Sequence, residues 1–132
     1  MIDFDLGAAR SEPPAPLFNA AWDWVRAAFR HAGANPIIGT QLGRLLRDAG
    51  LTDVDHFGLQ RYLSADDPDG ALLPSSGVKR LAPVIVAARI ATEEELALDT
   101  LEARIAADLQ THHAVGLTAT IAGAWGRKRS GA

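Results

Sequence analysis

The sequence predicts an α/β fold, and three observations carry the prediction. The first residues alternate apolar and acidic, with Ile2, Phe4 and Leu6 on one face, as in a strand. The last long segment alternates too, with Val115, Leu117, Ala119, Ile121, Gly123 and Trp125 in step. Between these ends the apolar period lengthens to that of helices. The expected order is strand, helix, helix, strand, helices, strand. That is too few strands for a complete doubly wound sheet, with helices enough to cover one.

Met1–Leu6 is the first strand. Gly7–Pro16 is punctuation, because Ser11-Glu-Pro-Pro-Ala-Pro16 offers too few backbone donors to continue a strand or an interior helix. Leu17–Ala32 reads as a helix with Phe18, Ala21, Trp22, Val25, Ala28 and Phe29 on one stripe, closed by Gly33. A second helix runs over Asn35–Gly50, with Asn35 as its N-cap, Pro36 at the tolerated first position and Gly50 at its end. Ile38, Leu42, Leu45, Leu46 and Ala49 form its buried face. Asp53–Leu59 is a strand, and Ser64–Ser76, with Asp66-Asp-Pro-Asp-Gly70, a polar loop. Val78–Ile90 is helical, with Pro83 starting or bending it. Thr92 and Glu95 make a capping box that opens a helix along Leu96, Leu101, Ile105 and Leu109. Val115–Trp125 is one long strand before Arg127-Lys-Arg129.

Composition bounds the function. At 132 residues, 48% hydrophobic and 22% charged, the chain is long enough and apolar enough for one domain with a real core. A net charge of −3 supplies no basic field for nucleic acid, and the absence of cysteine excludes disulfides and thiolate metal sites. The longest apolar run, Leu81 to Ala88, is far short of the roughly 20 residues that cross a bilayer. With no signal-peptide pattern at its start, the chain is expected in the cytoplasm, with no membrane or nucleic-acid partner.

No motif for catalysis or cofactor binding is complete. Gly39 and Gly43 lie four apart on a helix, and Gly116, Gly123 and Gly126 lie along a strand and its exit, so neither set makes a dinucleotide or adenosyl loop. Asp3 and Asp5 share one side of the first strand and could face a site, although carboxylates there also serve as loop caps. His112-His113 reads as a helix end rather than as a metal site, having no third ligand at helical spacing. Trp22 falls on the apolar stripe, whereas Trp24 is more exposed. No cofactor-binding residue and no metal ligand is expected.

The stretch Gly39-Thr-Gln-Leu-Gly-Arg-Leu-Leu-Arg-Asp-Ala-Gly-Leu-Thr-Asp-Val54 resembles the helix and following strand near the C-terminal end of class I S-adenosylmethionine-dependent methyltransferases. Three further segments match in order. Met1-Ile-Asp-Phe-Asp5 looks like the end of the fifth strand of that family. Ile90-Ala-Thr-Glu-Glu-Glu-Leu96 looks like its late capped helix, and Ala124-Trp-Gly-Arg-Lys128 like its closing strand. The resemblance implies a partial Rossmann-like methyltransferase sheet: the last three strands with their covering helices, over 1–132 as one incomplete C-terminal domain. The family holds its cofactor on the first four strands, by a glycine-rich loop after the first and an acid after the second. Those elements have no counterpart here.

Several expectations follow from the resemblance. In the family the fifth strand pairs with the fourth and seventh, the seventh running antiparallel. Met1–Leu6 and Val115–Trp125 should therefore pair antiparallel, with Asp53–Leu59 on the far side of the last strand. An exposed strand edge and apolar helix faces should remain, including that of Phe18, Trp22, Val25 and Phe29. The chain would be the acceptor-substrate side of a small-molecule methyltransferase, a truncated or split piece inactive alone, with S-adenosylmethionine implied only for the full-length family. Asp5, Phe18 and Trp22 are the candidate substrate-lining residues. The partners would be a complementing N-terminal half or a second copy. The alternative is a stand-alone dimerisation or regulatory module reusing the half-fold. Nucleic-acid recognition by Asn35–Gly50 has only Arg44 and Arg47 in its favour.

Overall fold

The apolar alternation at the two ends of the chain brings those ends together. The computed structural model describes residues 1–129. In order they form β1 (Ile2–Asp5), β2 (Arg10–Glu12), α1 (Pro16–His31), α2 (Leu42–Asp48), β3 (Thr52–Leu59), β4 (Tyr62–Leu63), α3 (Asp69–Ala87), α4 (Glu93–Leu96), α5 (Leu98–Thr111), β5 (Val115–Leu117) and β6 (Thr120–Arg127). Short 3-10 turns occupy Leu6–Ala8 and Ile38–Gln41.

The strands make two three-stranded sheets, β1-β6-β3 and β2-β5-β4, antiparallel throughout. They follow one another along the same three paths of chain, so together they form one ribbon broken in the middle. Gln60 sits at the break, and its Nε2 donates to Ala8 O and Thr118 O, each at 2.9 Å. Thr118 completes the join, donating its N–H to Arg61 O at 3.1 Å and accepting from Arg61 N at 3.0 Å through Oγ1.

The α/β expectation holds, and so does the expected pairing. Ile2 is opposite Gly123 and Asp5 opposite Thr120, while β3 lies along the other side of β6 from Thr52 to Leu59. Because β1 and β3 both oppose β6, they run parallel to each other.

Several element bounds differ from expectation. The segment 115–125 is two strands, since Thr118 and Ala119 fall at the break. Gly7–Pro16 is not all punctuation: Arg10–Glu12 pairs with β5 ahead of the prolines. The helix expected over 35–50 is a 3-10 turn followed by seven α-helical residues, with Asn35 Oδ1 accepting from Ile37 N at 3.0 Å. The polar loop at 64–76 ends early, at Asp69, where α3 starts and runs through both Pro74 and Pro83. Asp67 Oδ1 accepts from Asp69 N at 3.0 Å and turns the chain into that helix. The Thr92–Glu95 capping box is present, both bonds at 3.1 Å, but opens only α4; Ala97 at φ 37° separates it from α5.

The main core lies among α1, α3 and α5, on the β2-β5-β4 half of the ribbon. It holds Phe18, Trp22, Val25, Val78, Ile85, Leu101, Ile105 and Leu109. Gly116 makes room for α1, because a Cβ there would stand 3.3 Å from the Phe18 ring. Asp108 Oδ2 accepts from Leu17 N at 2.8 Å, tying α5 to the first turn of α1. The apolar helix face expected to be bare is therefore covered, by α3 and α5. A second, smaller cluster, of Leu42, Ala122 and Ala124 with Ile38 and Leu46 against them, seats α2 on one face of β1-β6-β3.

Candidate functional site: a bare apolar sheet face

Residues opposite one another in antiparallel strands share a face, and every second residue along a strand returns to it. In β1-β6-β3 this rule sorts Ala122 and Ala124 to the side of α2, with Asp3 opposite Ala122. It sorts Ile2 and Phe4, Ile121, Gly123 and Trp125, and Phe57 and Leu59 to the other side. The six large members of that second set, Ile2, Phe4, Phe57, Leu59, Ile121 and Trp125, are between 43% and 73% exposed. Single exposed apolar residues are ordinary, but a contiguous set on one sheet face marks an interaction surface.

The face is levelled in its middle. Gly123 carries no side chain, and the Phe57 ring leans over it, so that a Cβ at Gly123 would collide with that ring. Trp125 stands against Phe57 with ring centroids 6.1 Å apart and planes tilted by 41°. Charge is confined to one end, where Asp55 opposes Trp125 and Arg127 follows two residues along β6.

Both edges of this sheet are guarded. Met1 and Ala124 exchange both backbone hydrogen bonds, at 2.9 Å. The antiparallel alternation then turns the N–H groups of Ile2 and Phe4 outward on β1, and those of His56 and Gly58 outward on β3. Asp3 Oδ1 accepts from Phe4 N at 2.7 Å, and Asp55 Oδ1 accepts from His56 N at 2.8 Å. In each edge strand an aspartate thus occupies the outward donor of the next residue, which blunts the edge as a template for another strand.

The residues expected to line a substrate site do not assemble. Asp5, half-buried at the end of β1, accepts from Gly7 N at 2.9 Å through Oδ1 and so caps the following turn. Phe18 is 2% and Trp22 7% exposed, both inside the core among the helices, where they pack rather than line a surface. Trp22 Nε1 is buried without a hydrogen-bond partner. Trp24 is half-buried, as the stripe predicts. His112 Nδ1 lies 2.9 Å from Asp108 O at the end of α5, the helix-end role expected of it.

Among the described residues no cluster of three metal-ligating side chains occurs, and no helix is long and apolar enough to cross a membrane. A groove of about 890 Å³ opens between α3, α4 and α5, lined by Ala82, Val86, Leu96 and Leu98 together with Glu93 and Asp99. The alternation at both chain ends could have revealed the bare face. Alternation tells which residues share a face, however, and not whether another element covers that face. Comparison of the sequence with protein-family models and with curated proteins gives no match.

Proposed function

We propose that this chain is the C-terminal, acceptor-substrate-side part of a small-molecule S-adenosylmethionine-dependent methyltransferase, inactive without a cofactor-binding partner. The observation that carries the reading is the strand order β1-β6-β3. Consecutive parallel strands joined through a helix ordinarily lie side by side. Here β1 and β3 are held one strand apart and the last strand fills the gap antiparallel, the order implied for the fifth, seventh and sixth strands of that family. The position of the helical layer adds support. It lies beyond the carboxyl ends of β1 and β3, the side on which open α/β sheets take their ligands.

The cofactor does not fit the residues described here. Such a group is held where a strand runs into a helix through closely spaced glycines, so that backbone can approach it. Gly7, after β1, leads into another strand, and a Cβ there would stand 2.9 Å from Ile37 Cγ2. Gly39 and Gly43 are closed off by Phe4 backbone and by His56. The chain therefore supplies no chemical step, only the sheet β1-β6-β3 and a helical cover. Of the three candidate lining residues, Asp5 alone keeps a place at a strand end.

Calorimetry tests the reading. This chain alone should take up no S-adenosylmethionine, and a complex with the polypeptide encoded immediately upstream of Met1 should bind it. Micromolar binding by the chain alone would contradict the proposal. So would an upstream polypeptide with no glycine-rich strand–helix loop. The bare face favours a second reading, a stand-alone dimerisation or regulatory module, which an intact promoter and start signal upstream would support.

A further inference from the structure

From the bare face and the guarded edges we infer that two copies of this chain associate face to face through the outer surface of β1-β6-β3, forming a closed dimer. The inference does not rest on the methyltransferase reading, whose partner strand would have to displace Asp3 and pair along the outer edge of β1, a different surface.

Three observations select a second copy as the occupant. The first is area. Ile2, Phe4, Phe57, Leu59, Ile121 and Trp125 keep about half of their surface in water. At the 150–250 Å² that an aromatic side chain buries, and somewhat less for isoleucine and leucine, that is on the order of 600 Å² per copy. Two copies meeting there would bury about 1,200 Å², the lower bound of a stable specific interface. The second is charge. The centre of the face has none, and its one charged end carries both signs, Asp55 and Arg127, so no single-sign field opposes a second copy. The third is the guard on the edges. With Asp3 on Phe4 N and Asp55 on His56 N, strand addition at either edge must first displace a carboxylate. Packing of sheet on sheet needs no such displacement, and it buries the identical patch of both copies, which closes the assembly at two.

Light scattering on the eluting chain tests this. The expected mass at micromolar concentrations is twice the 14.0 kDa of one copy. Leu59→Lys and Ile121→Lys, each an exposed position, should weaken association more than about tenfold, with the circular dichroism spectrum unchanged. Should either lysine variant fail to fold, Leu59→Thr keeps a strand-forming residue and should shift the equilibrium in the same direction. A monomeric wild type overturns the inference. So does a dimer indifferent to Leu59→Lys and Ile121→Lys, and so does open-ended association of the wild type.

Discussion

Gly39 and Gly43 let helix backbone come down onto the sheet. A Cβ at Gly39 would stand 2.8 Å from Phe4 C and 2.9 Å from Asp5 N, and a Cβ at Gly43 would stand 3.0 Å from His56 Nδ1. Backbone atoms cannot move aside, so Gly39→Ala should lift the Ile38–Gln41 turn off β1, costing about 1–3 kcal/mol in urea unfolding. Gly123→Ala is the useful contrast. The three atoms nearest its Cβ all belong to the Phe57 ring, which sits on an exposed face and can swing outward, so its cost should be smaller. A larger loss at Gly123 than at Gly39 would mean that the ring is pinned from outside. The four-residue spacing of these glycines was legible, and it excluded a ligand loop. What they approach was not, because small residues at helical spacing mark a close contact without naming the partner. Asp3 and Asp5 were legible in the same partial way. Their shared side follows from the strand period, but Asp3's hold on an outward N–H depends on the pairing register, which local sequence does not contain.

At the scale of elements, one side chain spans the break in the ribbon. Gln60 donates to a carbonyl on each of the two neighbouring strands, Ala8 O and Thr118 O. Removing it leaves two partly buried acceptors without that donor. Gln60→Ala should therefore cost about 1–3 kcal/mol, and Gln60→Glu, which brings a carboxylate against the same carbonyls, no less. Urea unfolding with both variants near wild type would show that the bend is held by the strands alone. The strand and helix periods gave β1, α1, β3 and α5 nearly whole. The start of α3 escaped because Asp-Pro-Asp-Gly followed by Pro and two serines has loop composition. Packing overrides it there: Gly70 lies against Leu109, Gly77 against Val25, and Pro74 and Ser75 are buried. The capping box at Thr92 was fully legible, since a cap is a local device.

The whole molecule divides into a half that closes its own core and a half that does not. Around α1 the inserted helices α3 and α5 complete the cover, so Phe18→Ala should cost about 3–5 kcal/mol in thermal or urea unfolding. Substitutions on the bare face should leave the unfolding of the separated monomer nearly unchanged. Sequence reasoning placed a missing cover on the helices, because the half of the fold that would pack on the stripe of Phe18, Trp22, Val25 and Phe29 has no counterpart in this chain. It could not see that the segment after β4 folds back and lays α3 and α5 over that stripe, a contact between residues far apart in sequence. The sheet face was left uncovered instead. Which large side chains meet water therefore distinguishes the two halves. Hydroxyl-radical footprinting, read by mass spectrometry in dilute and in concentrated protein, measures that directly. The expected result is strong labelling of Phe57, Leu59 and Trp125 and weak labelling of Phe18 and Trp22 when dilute, with protection of the first set alone as concentration rises. Equal labelling of Trp22 and Trp125 in the folded, dilute chain would contradict it.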